Sequence, residues 1–111
     1  MAIVVTVDIL RATYDLLKTT RPFRTWKLPP AEEIDFRVLK TDTLSGDYVF
    51  SQGKHVIRLS RAKHTTLHAV TMTVAHEVCH MVDPSRSHHG AVFKRLARLV
   101  CKHHGFDIGQ F

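Results

Sequence analysis

Residues 63–82 contain neither glycine nor proline, and Leu67, Val70, Met72, Val74, Val78 and Met81 recur so densely that a helix over them must be largely buried. Within this segment lies His76-Glu77-Val78-Cys79-His80. A helix turns about 100° per residue, so histidines four apart stand one turn above each other and can both reach one ion. Glu77 is offset around the helix, beside such an ion, where a carboxylate takes a proton from bound water without ligating. The chain has nine histidines and three glutamates in 111 residues, so an accidental match is expected at only about 2%.

Zinc suits imidazole donors, and an open catalytic site wants three protein ligands and a water. Two histidines therefore call for a third. The extended spacing HExxHxxGxxH fails, because Asp83 stands at the glycine position and Arg86 at the last histidine. Asp83-Pro84 should end the helix, since proline disfavours helical geometry in the residue before it. Beyond it come His88 and His89. His89 is the preferred ligand, because Gly90 lets the turn approach the metal helix closely and Phe93 can anchor the next helix in the core; His88 and Asp83 are the alternatives. His64 and His68 lie too far along the predicted helix to share the ion and are read as cap or surface histidines.

The remainder reads as α+β. Helical spacing over about residues 5–19, with Thr6 or Asp8 as N-cap, predicts a first helix. Three prolines within residues 20–30 predict an irregular connection that holds Phe23 and Trp26 against the core. Alternation from Phe36 through Leu59 predicts two or three antiparallel strands, with glycines at the Ser45-Gly46-Asp47 and Gln52-Gly53 turns. A last helix is predicted over about residues 88–104, stopped by Gly105.

The motif HEVCH, a short loop and then His89-Gly90-Ala91-Val92-Phe93 resemble the SprT-like metallopeptidases, including the Spartan type, over about residues 66–105. The resemblance implies a minimal zincin fold, zinc on His76, His80 and His89, and Glu77 as catalytic base. It further implies a protein or peptide substrate, with DNA-crosslinked proteins and DNA engagement in view. The DNA-binding additions that follow this core in many members do not follow it here, so a stand-alone peptidase is equally compatible.

Composition bounds these readings. A chain of this length is expected to form one domain. Its net charge of +6 favours acidic partners. No acidic residue falls between Pro84 and His104, and Arg86, Lys94, Arg95, Arg98 and Lys102 make that stretch a basic face, suited to phosphate contact or simply to solvent. A basic nucleic-acid-binding module with structural zinc, or none, is the competing function. Cys79 and Cys101 are too few for a disulfide framework or a four-cysteine zinc ribbon, and Cys79 reads as a packed, reduced thiol. The first residues fit neither a signal peptide nor a membrane span, so a cytoplasmic location is expected; the protein is also expected to be a monomer that engages no membrane. Tyr48, His88 and Arg86 are candidate oxyanion stabilisers.

Overall fold

The computed structural model describes residues 2–85 and 89–111. Helix α1 spans Val7–Lys18, opened by Thr6, whose hydroxyl accepts from the Ile9 N–H at 3.2 Å. Leu10, Thr13, Tyr14 and Leu17 form its buried stripe. The proline-rich connection is fastened to this helix by the Tyr14 hydroxyl, which donates to the Pro29 carbonyl. As expected, the connection turns Phe23 into the core, with Trp26 edge-on against it.

Strands β1 (Ile34–Leu39), β2 (Gly46–Ser51) and β3 (Lys54–Ser60) form one sheet in the order β1-β3-β2. The β2–β3 hairpin is antiparallel, closed by Gln52 and Gly53 at φ 54° and 76°. Positive φ at both central positions is what a two-residue hairpin turn demands. The expected antiparallel sheet is thus realised in this pair, whereas β1 runs parallel to β3, making the sheet mixed. Alternation marks a strand but not its partner's direction. Residues 40–45 carry the chain across the end of β3, where the Ser60 hydroxyl donates to the Thr41 carbonyl and the Ser60 N–H to that of Ser45. That crossing puts β3 in the middle.

Gly46 begins β2 rather than serving a positive-φ turn. A Cβ there would lie 2.7 Å from the Arg58 carbonyl oxygen and 3.3 Å from Thr73 Cγ2. Its missing side chain lets the strand lie close against helix α2, Leu67–Val82.

Helix α2 begins at Leu67, four residues later than predicted, with Thr66 as its N-cap, whose hydroxyl accepts from the Ala69 N–H at 3.1 Å. The preceding His64 is therefore not helical, nor a surface residue. It is 3% exposed, with Nδ1 2.7 Å from the Ser60 carbonyl oxygen and Nε2 2.8 Å from the Thr73 hydroxyl. Helix α3 spans Ala91–His104 and ends at Gly105, in the left-handed conformation. Side chains from all three helices and the sheet meet in one core, with Tyr14, Phe23, Ile57, Leu59, Val74 and Val100 essentially inaccessible.

Candidate metal centre

Helix α2 delivers His76 and His80 one turn apart, and the turn before α3 delivers His89. The Nε2 atoms of His76 and His80 lie 3.2 Å apart, and those of His76 and His89 3.3 Å apart. One ligand atom from each residue lies within 4.8 Å of the other two. Tetrahedral zinc with Zn–N bonds of about 2.0–2.1 Å places its nitrogens about 3.3–3.4 Å apart, so the His76–His80 and His76–His89 pairs are spaced for such an ion. His76 Nδ1 lies 2.8 Å from the Phe111 backbone oxygen. That oxygen only accepts, so Nδ1 carries the proton and a neutral ring presents its Nε2 lone pair to the cluster. Burial holds His76 below the ordinary histidine pKa, with His89 adding to this and the Phe111 bond opposing it. The donor set therefore fits a divalent cation.

Phe93, 4% exposed, is the platform of the cluster. Its ring stacks on His80 at 4.3 Å between centroids and lies 4.7 Å from His89 and 4.9 Å from His76. The anchoring expected of Phe93 thus extends to holding all three imidazoles. A short turn helps to position the centre: the Asp107 carbonyl accepts from the N–H groups of Gln110 and Phe111, and the Phe111 ring lies 5.3 Å from that of His76.

Glu77 is 5% exposed and lines a cleft of about 490 Å³ together with His76, His80, His89 and residues of β2. Burial pushes its carboxyl up to about 8, and the Asp47 charge adds to this. Asp47 is itself held by a two-pronged ion pair with Arg58 across the β2–β3 hairpin. A cation among the histidines would oppose the shift on Glu77. Across the cleft stand Tyr48 and Phe50, the latter 48% exposed. The Tyr48 hydroxyl lies 2.7 Å from His55 Nδ1.

Asp83, the alternative ligand, is outside the histidine cluster. Its Oδ1 accepts from the Ser85 N–H and hydroxyl at 2.9 and 2.6 Å, closing the turn after α2. His88 and Arg86 lie outside the described residues. The other basic residues, Lys94, Arg95, Arg98 and Lys102, are exposed along α3, and two of them, Lys94 and Arg98, line a groove that His89 also lines. Two contributors escaped sequence reasoning and left no signal in it: the Phe111 carbonyl and Asp47 beside Glu77. Tyr48, a candidate from the sequence, lines the cleft from β2.

An α+β domain that carries HExxH on its central helix, with a third histidine folded onto the pair from the turn before the next helix, has the layout of a zincin-type metal-binding domain. Comparison with family models is more specific. The model of the SprT-like family matches residues 13–109, and the chain belongs to that family. No curated protein matches the chain at a significant level.

Proposed function

We propose that this protein is a zinc-dependent metallopeptidase in which His76, His80 and His89 hold the ion and Glu77 is the general base. The observation that carries this reading is the joint one: three converged imidazole nitrogens and a buried carboxyl on the same helix face one cleft. Zinc, when bound, supplies Lewis acidity and makes water acidic enough to ionise near neutral pH. Glu77 accepts the proton of the attacking water at its carboxylate and returns it to the amine of the departing peptide fragment. Strand β2 lies at the edge of the sheet and walls the cleft, so an extended peptide can pair with its backbone there. Substitution Glu77→Gln removes the base while leaving all three ligands. The expected result is one zinc per chain by metal analysis and loss of peptidase activity; retained proteolysis would sink the assignment.

A second reading concerns where the substrate is found. Lys94, Arg95, Arg98 and Lys102 form an exposed stripe on α3, and none has an ion-pair partner among the described residues. This supports phosphate contact and action on DNA-associated proteins. Reversing Arg95 and Lys102 to glutamate should weaken duplex-DNA binding and flatten its salt dependence, without changing zinc content. Within the described residues no helix is long and apolar enough to cross a membrane.

A further inference from the structure

A second cavity of about 280 Å³ opens beside the candidate metal centre, and His89 lines both it and the Glu77 cleft. Phe93 and Ala97 from α3 and Ile108 and Phe111 from the last turn give it an apolar lining. Ile108 is left 56% exposed. Lys94 and Arg98, one helical turn apart, line the same groove, and neither is ion-paired among the described residues. An apolar trough with two unneutralised cations matches a ligand that is itself apolar at one point and anionic at the next. Continuity through His89 places that ligand on the path of a chain lying in the cleft.

Resting on the peptidase reading above, we propose that this groove receives a bulky aliphatic or aromatic side chain adjoining the scissile bond, and that Lys94 and Arg98 select an acidic residue immediately beyond it. The substrate class is thus a protein segment with an apolar residue followed by a carboxylate. The apolar side chain gains by leaving water, whereas the charges at the partly solvated rim chiefly choose between sequences. Arg95 and Lys102 do not line the groove, which separates this role from phosphate contact along the helix.

The experiment compares zinc-loaded wild type with Ala97→Phe, which fills the groove, and Arg98→Glu, which reverses one rim charge. The substrates are quenched-fluorescent peptides carrying Leu-Asp, Ala-Asp or Leu-Lys at the cleavage site. Wild type should favour Leu-Asp over each of the others by roughly tenfold in kcat/KM, the scale on which a side-chain pocket discriminates. Ala97→Phe should abolish the Leu over Ala preference, and Arg98→Glu should reverse the Asp over Lys preference, with zinc content unchanged in both. Equal cleavage of all three peptides by wild type overturns the proposal, as does an equal loss on all three in the variants. If wild type cleaves no peptide, the peptidase reading fails, and fluorescence anisotropy of the same peptides tests the groove by itself. Binding of Leu-Asp peptide that Ala97→Phe removes supports it, and no binding overturns it. Two other outcomes also overturn it: Arg98→Glu impairing only duplex-DNA binding, and a concentration-dependent dimer dispersed by Ile108→Ser.

Discussion

The side chains of the centre are legible where their identity carries the chemistry. His76, Glu77 and His80 follow from spacing on one helix, and His89 from the need for a third donor beyond Pro84. The Phe111 oxygen that fixes the His76 proton is a backbone group, which every residue possesses, so only tertiary structure can select it. His64 is instructive in the opposite sense: its polar type suggests solvent, yet both ring nitrogens have partners inside the fold. Phe93 combines core packing with support of three imidazoles, and truncating it should affect both. Phe93→Ala is expected to cost about 3–5 kcal/mol of stability. It should also weaken zinc binding, measured by denaturant unfolding and by competition with a chromophoric chelator. Unchanged zinc affinity in a destabilised variant would reduce Phe93 to a packing residue.

Helices α1 and α3 and the β2–β3 hairpin are readable because amphipathic period, caps and turn residues agree there. Two features are not local. The direction of β1 depends on which strand it finds, and the start of α2 depends on His64 being held by Ser60 and Thr73 outside the helix, where no glycine or proline marks a boundary. The closeness of β2 to α2 rests on Gly46, which sequence inspection assigns to a turn. Gly46→Ala should therefore destabilise by roughly 1–3 kcal/mol, the usual cost of forcing atoms into packed space. Because the contact is with the Arg58 backbone, the strand must move, and the cleft should widen with it. A shift of the urea midpoint together with a raised KM for peptide checks this; an unaltered midpoint would show that the strand yields freely.

For the whole molecule, an ion held by α2 and the turn before α3 joins two separately formed parts of the chain. At free zinc a thousandfold above Kd, binding adds about 4 kcal/mol. Chelation should then lower the melting temperature by roughly 15 °C or more, an effect absent from a His76→Ala/His80→Ala double variant. Acid acts through a different residue as well. Burial holds His104 below the ordinary histidine pKa, against the hydrogen bond to the Arg21 backbone. The unfolded chain therefore takes up this proton first as pH falls below about 6.5, and the folded state loses stability until the lower folded pKa is passed. The His104→Gln variant should show a shallower decline of melting temperature between pH 7 and 5, in chelator, than wild type.

The three histidines differ in access: His76 and His80 are half-buried on a helix already fixed by the core, whereas His89 is exposed on the turn that follows. An ion held by this set would have two donors on a helix packed into the core and a third open to solvent. A competing chelator would therefore meet it from the His89 side first, and His89→Ala should hasten loss of the metal to such a chelator.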